Sequence, residues 1–138
     1  MTVDNRTGII LTLGDVMSNP VIDSSGTKRW CNADGQLHRL DGPAIEYSDG
    51  TKSWWVNDLL HRLDGPAIER VDGYKAWWVN GKRHRVDGPA YEGADGTKAW
   101  HVNDEYLTEA EFNSRTTTKE LSIADIEKLL GYPVKVVK

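Results

Sequence analysis

Short runs rich in apolar residues fill the middle of the chain, and turn-forming pairs separate them. One set of turns is Asp49-Gly50, Asp72-Gly73 and Asp95-Gly96, and the other is Asn57-Asp58, Asn80-Gly81 and Asn103-Asp104. Asn, Asp and Gly tolerate the positive φ angles of two-residue hairpin turns. The runs between the turns are rich in Trp, Val and Ile, which favour strands. The pattern therefore predicts β-hairpins that follow one another as an antiparallel meander.

The hairpins belong to an internal repeat. Gly-x-Lys-x-Trp begins at Gly26, Gly50, Gly73 and Gly96, and His-Arg-x-Asp-Gly-Pro-Ala begins at His38, His61 and His84. The fourth unit lacks the second motif, as expected of the unit that ends an array. Because proline cannot donate to a strand ladder, Asp-Gly-Pro is expected to bend or bulge the longer strand of each unit midway.

The chain divides into three predicted segments. These are an N-terminal β segment over residues 1–25, a four-unit hairpin array over residues 26–107, and a helical cap with a terminal strand over residues 108–138. The first strand is expected within residues 8–13. Thr108 and Glu111 form a capping-box signature, so we expect a short helix whose Phe112 folds back over the last hairpin. A second apolar stripe at helical spacing predicts another helix over residues 122–130.

Two-residue turns at Asp49-Gly50 and Asn57-Asp58 would set the strand register. The first turn then pairs Ile45 with Trp54, and the second pairs Trp54 with His61. Every unit has a tryptophan at the first position of the Trp-Trp pair, as a buried rung requires. The predicted repeat core is therefore Trp30, Trp54, Trp77 and Trp100, with His38, His61 and His84 stacked against these tryptophans.

The opposite face carries the candidate binding residues. The second position of the Trp-Trp pair is aromatic in the middle units only, as Trp55 and Trp78, so stacking does not dictate it. The predicted register places Arg62, Arg85, Glu46 and Glu69 on the same face as these two tryptophans. Arginine beside tryptophan is typical of an interface hot spot, or of a site that stacks a nucleobase and clamps a phosphate. Cross-strand pairing of arginine with glutamate is the purely structural alternative.

The repeat resembles a known family. The segment from Trp77 to Ala90, Trp-Trp-Val-Asn-Gly-Lys-Arg-His-Arg-Val-Asp-Gly-Pro-Ala, is similar to the MORN-repeat variant, a divergent relative of the MORN repeat. The resemblance covers residues 26–107. It implies a single-sheet hairpin meander in a small tailed-bacteriophage-type protein, with a non-catalytic role in holding a macromolecule in place. Arginine follows the histidine where ordinary MORN repeats have glycine, so the lipid binding of some MORN proteins is not carried over.

Composition narrows the classes of function further. The chain has 138 residues, 38% of them apolar and 28% charged, which predicts one globular domain. No apolar run approaches the roughly 20 residues of a membrane span, so no membrane partner is expected. The net charge of -4 argues against binding to a nucleic-acid backbone. A lone Cys31 fits a reducing compartment, so we expect a cytoplasmic protein, in the host cytoplasm if a phage encodes it.

Catalytic and metal-binding arrangements are not expected. Histidines one repeat apart lie two strands apart, about 9–10 Å, whereas two ligands of one zinc ion lie within about 4 Å of each other. No phosphate loop, dinucleotide fingerprint or Gly-x-Ser-x-Gly motif is present in the sequence. We therefore expect a non-enzymatic protein without a metal or cofactor.

Three functions remain open from the sequence. The first is a binding module that engages a host or phage macromolecule, with an unidentified host protein as the expected partner. The second is a small-ligand protein that binds or sequesters a nucleotide through tryptophan and arginine. The third is a structural homo-oligomer, which an uncovered sheet face would favour.

Overall fold

The protein is mainly β, with a short helix after the last repeat, in a computed structural model that describes residues 2–3, 10–11 and 19–116. In chain order the elements are β1 (Thr2–Val3), β2 (Ile10–Leu11), β3 (Val21–Ile22), β4 (Lys28–Arg29), β5 (Ile45–Glu46), β6 (Lys52–Ser53), β7 (Trp55–Val56), β8 (Leu59–Leu60), β9 (Ile68–Glu69), β10 (Lys75–Ala76), β11 (Trp78–Val79), β12 (Lys82–Arg83), β13 (Tyr91–Glu92), β14 (Lys98–Val102), β15 (Glu105–Leu107) and α1 (Glu109–Thr116). The predicted fold class, an antiparallel hairpin meander with a short helical cap, is confirmed.

The predicted N-terminal strand is represented by β2, which pairs with β1 in a small sheet of its own. The helix and the last strand predicted within residues 122–137 lie outside the described residues.

Nine strands form one antiparallel sheet in which each strand lies beside its predecessor in the series β3, β4, β5, β6, β9, β10, β13, β14 and β15. Lysine and glutamate alternate along one row of cross-strand partners, namely Lys28, Glu46, Lys52, Glu69, Lys75, Glu92 and Lys98. Opposite charges on facing strands stabilise this exposed row. The neighbouring row includes Ile45, Ser53 and Ala76, which are buried. The alternation along each two-residue strand thus separates a charged surface from the core.

The turns of this sheet differ from the predicted turns by one residue. Ile45 pairs with Ser53 and Glu46 with Lys52, so the predicted pairing of Ile45 with Trp54 is wrong. The reason is that Tyr47 N–H donates to the Thr51 carbonyl and encloses a three-residue loop, in which Gly50 has a φ of 91°. Asp-Gly suits both a two-residue turn and a longer loop that ends in a left-handed glycine, so the dipeptide alone does not choose between them.

Aspartate carboxylates stabilise these loops. Asp49 and Asp95 each accept the backbone N–H two residues further on, at 2.8 and 2.9 Å. These backbone hydrogen bonds, from Thr51 and Thr97, are the main cause of the lowered pKa of both carboxyl groups. The folded state therefore binds fewer protons than the unfolded chain over the pH range just below the ordinary aspartate pKa.

Stability is accordingly expected to be complete above about pH 4 and to be lost as the pH falls through the lowered pKa values of Asp49 and Asp95. The double substitution Asp49→Asn, Asp95→Asn keeps a side-chain oxygen acceptor but removes the titration. Urea midpoints measured between about pH 5 and pH 2 should then fall less steeply than in the wild type. Asp34→Asn is the control, because the Asp34 carboxylate accepts none of the hydrogen bonds found among the described residues. An equally steep loss in the double variant would contradict this origin of acid sensitivity.

A second row of hairpins continues from the nine-stranded sheet. Strand β7 pairs with β8 and β11 with β12, with Trp55 opposite Leu60 and Trp78 opposite Arg83. The two-residue turns predicted here are confirmed, since Asn57 and Asp58 have φ angles of 49° and 64°. Adjacent hairpins of this row share backbone hydrogen bonds, for example from Gly81 N–H to the Leu60 carbonyl at 2.9 Å. The second row therefore runs alongside the whole array.

Each His-Arg-x-Asp-Gly-Pro-Ala motif forms a loop between the two rows. His61 N–H donates to the Trp54 carbonyl, and Trp54 N–H donates to the Ala67 carbonyl, at 3.1 and 2.8 Å. Both ends of the loop therefore bond to one residue. Arg62 N–H still donates to the Trp78 carbonyl of the next hairpin at 3.0 Å, and residues 63–66 leave the strand ladder. The predicted bulge at Asp-Gly-Pro is confirmed.

The array ends in a capped helix. Thr108 Oγ1 accepts the Glu111 N–H, and the Glu111 carboxylate accepts the Thr108 N–H, so the predicted capping box is formed. Phe112 is buried, and its ring centroid lies 6.5 Å from that of Trp100. The helix therefore covers the apolar end of the last unit, as its sequence predicts.

Candidate functional site

The arginine of each His-Arg-x-Asp-Gly-Pro-Ala loop is held inside its own loop. The Arg62 guanidinium carbon lies 3.9 Å from the centre of the Trp54 ring. Its Nε donates to Asp64 at 2.8 Å, and its Nη1 donates to the Pro66 carbonyl and to Glu69, both at 3.0 Å. A planar guanidinium meets all these partners at once because its donors are arranged as a fork. Arg62 is therefore a structural residue that closes the loop over the tryptophan.

The same arrangement recurs in the neighbouring units. Arg39 and Arg85 lie 3.9 and 3.8 Å from the ring centres of Trp30 and Trp77. Their salt bridges to Glu46 and Glu92 measure 3.6 and 3.3 Å. The glycine of each motif packs directly against the guanidinium, and a Cβ on Gly42, Gly65 or Gly88 would lie 3.0, 3.0 or 2.8 Å from the arginine Cζ. The motif thus has glycine here because the arginine leaves no room for a side chain.

The histidines connect successive units. Nδ1 of His38, His61 and His84 accepts the backbone N–H of Asn57, Asn80 and Asn103, at 3.2, 3.0 and 3.1 Å. Each bond therefore runs from one unit to the two-residue turn of the next. A nitrogen that accepts a hydrogen bond must be unprotonated, so the donor N–H of these rings is at Nε2. Their burial with Trp30 and Trp54 places His38 and His61 in the core, where the sequence predicts them.

The structure does not bring the predicted arginine–tryptophan surface together. Arg62 and Arg85 lie on Trp54 and Trp77, not beside Trp55 and Trp78, and this part of the predicted site needs correction. The physical reason is that the chain leaves the ladder directly after Arg62, and the Arg62 side chain bonds to the loop that follows, at Asp64 and the Pro66 carbonyl. Glu69 is held by Arg62, and Glu46 by Arg39. The ion pairs that the sequence offered as the structural alternative are therefore present.

A groove of about 540 Å³ separates the arginine loops of the second and third units. Leu63 and Val86 line it and are 50% and 59% exposed. Arg62 and Arg85 also border the groove, but their guanidinium groups are stacked and salt-bridged as described above. The groove is therefore open and mainly apolar, without a charge left over for a phosphate.

The second row of hairpins presents a different cluster on one face. We call Trp78, Arg83, His101 and Tyr106 the aromatic–basic strip. Trp78 lies opposite Arg83, whose guanidinium carbon is 5.3 Å from the Trp78 ring centre. In the next hairpin His101 lies opposite Tyr106, with ring centroids 5.5 Å apart in an edge-to-face contact. Tyr106 is 62% exposed, whereas the other three side chains are half-buried.

The strip contains three buried polar atoms without a hydrogen-bond partner in the described chain: Trp78 Nε1, Arg83 Nε and His101 Nδ1. A comparison with the second unit explains why Trp78 Nε1 has no acceptor. Trp55 Nε1 donates to Ser53 Oγ at 2.8 Å, but the third unit has Ala76 at the position of Ser53, so Trp78 has lost this acceptor. Buried polar groups are nearly always paired in proteins, so three unpaired atoms in one cluster set the strip apart from the rest of the fold and make it the candidate site.

The surroundings of His101 lower the pKa of its imidazole. Burial lowers the pKa of His101, and the positive charge of Arg83 lowers it further. A hydrogen bond with the Ala99 backbone and the charge of Asp104 act in the opposite direction. The net effect is a lowered pKa of His101, because burial penalises the protonated ring and the charge of Arg83 adds to that penalty.

Sequence reasoning identified only one member of the strip, Trp78. Arg83, His101 and Tyr106 were missed, although a signal for them exists. Arg83 and Tyr106 occupy the repeat position that holds Leu60 in the second unit, and His101 replaces the tryptophan of the units before it. Positions where a repeat departs from its own pattern are not dictated by stacking, and these departures coincide with the strip.

Within the described residues, no group of three or more His, Cys, Asp and Glu side chains is placed to hold a metal ion. Among the same residues, no helix has the length and apolar character needed to cross a membrane.

Comparison with known proteins adds no assignment: no protein-family model, curated protein or solved structure matches this chain. The similarity to the MORN-repeat variant therefore stays a prediction from the repeat motif.

Proposed function

We propose that the chain is a non-enzymatic protein-binding module and that the aromatic–basic strip is its binding face. One observation carries the proposal: the strip holds the unpaired buried polar atoms Trp78 Nε1, Arg83 Nε and His101 Nδ1. The chemistry-bearing residues of the repeat motif, in contrast, have partners within the fold. Arg62 binds its own loop, and His61 binds the next turn.

The composition and shape of the strip favour a protein partner. Tryptophan, tyrosine and arginine are the residues most enriched at the hot spots of protein interfaces. The strip lies on an open sheet face, which suits a protein surface better than a small molecule that needs a concave pocket. The nucleotide alternative relied on Arg62 and Arg85, whose charges are used within their loops. The resemblance to phage repeat proteins adds the expectation of a host or phage macromolecule as partner.

A photo-crosslinking experiment tests the proposal. A benzophenone amino acid replaces Tyr106 in one variant and Tyr47, which is 39% exposed and lies on the nine-stranded sheet, in the control. In extracts of the cells that naturally produce the chain, irradiation should give a discrete protein adduct from position 106 and none from position 47. Trp78→Ala, assayed well below its own melting temperature so that the variant is folded, should reduce that adduct about tenfold or more, the loss expected for a hot-spot residue.

Two results would overturn the proposal. An adduct with the mass of two copies of this chain would identify a homo-oligomer instead. Equal labelling from positions 106 and 47, or adduct formation that Trp78→Ala does not reduce, would place the binding face outside the strip.

A further inference from the structure

Arg83 differs from the other arginines of residues 19–116 in lacking a salt bridge. The others each pair with an aspartate or glutamate: Arg29, Arg39, Arg62, Arg70, Arg85 and Arg115. Arg83 instead lies beside the Trp78 ring, and its buried Nε has no acceptor in the described chain. A half-buried guanidinium without an anion forgoes the charge-assisted hydrogen bonds that are among the strongest in proteins. The missing anion is therefore expected to come from outside.

His101 lies on the strand that runs beside Arg83, since the Asp104 N–H donates to the Arg83 carbonyl at 2.9 Å and the Arg85 N–H donates to the His101 carbonyl at 3.0 Å. The charges that act on its imidazole are those of Arg83 and Asp104. Arg85, whose N–H donates to the His101 carbonyl, carries a guanidinium already paired with Asp87 and Glu92. An anion at Arg83 would offset the repulsion between Arg83 and a protonated His101. It would also give the ring, once protonated, an acceptor for a hydrogen bond.

We propose that Arg83 and His101 form an oxyanion subsite that receives a carboxylate side chain of the bound protein. The inference deepens the proposed function and rests on it. A singly charged carboxylate suits the site better than a phosphate, because Asp104 lies in the adjoining hairpin, whereas the neighbouring Glu105 is paired with Arg115. The Asp104 carboxylate accepts the Arg83 N–H at 2.7 Å, so this negative charge stays beside the site and repels a dianion more strongly.

Proton NMR of the full chain tests the subsite directly. The sequence contains four histidines, so four imidazole signals are expected, and His101→Gln identifies the one from His101. The probe is a blocked tetraglutamate peptide, with tetralysine and sodium chloride at matched ionic strength as controls. Tetraglutamate should raise the pH midpoint of the His101 titration by about one pH unit, saturably, whereas the controls should leave it unchanged.

Two matched variants separate the subsite from general charge attraction. Arg83→Gln and Lys82→Gln remove one positive charge each from neighbouring positions of β12, but Lys82 lies opposite Val79 and outside the strip. We expect Arg83→Gln to weaken tetraglutamate binding about tenfold, the loss of a charge-assisted hydrogen bond, and Lys82→Gln to weaken it less than twofold. Each variant is first checked for an unchanged melting temperature.

The possible failures are distinct. No midpoint shift with tetraglutamate, or the same shift in Arg83→Gln, would overturn the subsite. A larger shift with inorganic phosphate than with the peptide would overturn the carboxylate assignment in favour of a phosphate. The crosslink from position 106 does not require an acidic partner residue, so a crosslink that persists at full yield in Arg83→Gln would refute the subsite while leaving the proposed function in place.

Discussion

Replacing Trp54 with alanine is expected to lower the free energy of unfolding by about 3–5 kcal/mol, the cost of a large truncation in a packed core. Trp54 is 7% exposed, and its ring supports the Arg62 guanidinium. The backbone bonds of Trp54 that close the loop remain possible in the variant, so the loss reports on the side chain. Trp55→Ala, one residue away, should cost only about 1 kcal/mol because its ring is half-buried.

Urea unfolding of both variants measures this difference under identical conditions. The comparison is well matched because the same residue type is removed from adjacent positions of one strand segment. A loss at Trp55 equal to that at Trp54 would contradict the assignment of the first tryptophan to the core.

Arg62→Ala is expected to cost about 2–3 kcal/mol, less than the sum of its separate interactions, because the partly exposed Asp64 and Glu69 carboxylates regain water when the guanidinium is removed. The variant leaves Asp64 and Glu69 without their cation and the Pro66 carbonyl without a donor. Arg83→Ala, by contrast, breaks no salt bridge within the described chain and should cost only about 0.5–1 kcal/mol, the contribution of its contact with the Trp78 ring. Arg62 is thus expected to affect the stability of the fold, and Arg83 is expected to affect binding.

Thermal and urea melts of both variants check this contrast, together with Arg62→Lys. Lysine keeps the charge, but a single ammonium cannot lie flat on the indole and hold two carboxylates at once, so only part of the lost stability should return. Equal stability losses in Arg62→Ala and Arg83→Ala would contradict the structural role assigned to the loop arginine.

The repeat and its hairpins could be predicted because local chemistry dictates them. The Asn57-Asp58 turn, the bulge at Asp-Gly-Pro and the capping box of Thr108 with Glu111 all depend on residues within a few positions of one another. The register of the nine-stranded sheet was mispredicted by one residue because Asp49-Gly50 suits loops of two lengths. The longer loop turns Ile45 and Ser53 towards each other in the core.

The candidate site could be predicted only in part. Trp78 stood out because aromatic residues at its repeat position are confined to the middle units. Arg62 and Arg85 were placed beside Trp55 and Trp78 because strand alternation was assumed for their side chains, although the chain leaves the ladder directly after each arginine. Arg83, His101 and Tyr106 belong to two different hairpins, and no spacing rule along the chain brings them together.

The sequence by itself thus determined the period of the array and its hairpins. It also determined that the first tryptophan is buried in the first two units and that the helix covers the last unit. All of these follow from short-range preferences that recur every 23 or 24 residues. Only the tertiary structure decided which partner each arginine takes. Arg62 and Arg83 are the same residue type on neighbouring units, but one lies in a loop that folds over Trp54 and the other on a strand face beside Trp78. The difference arises from packing between hairpins, where contacts depend on the path of the backbone in space and not on position along the chain.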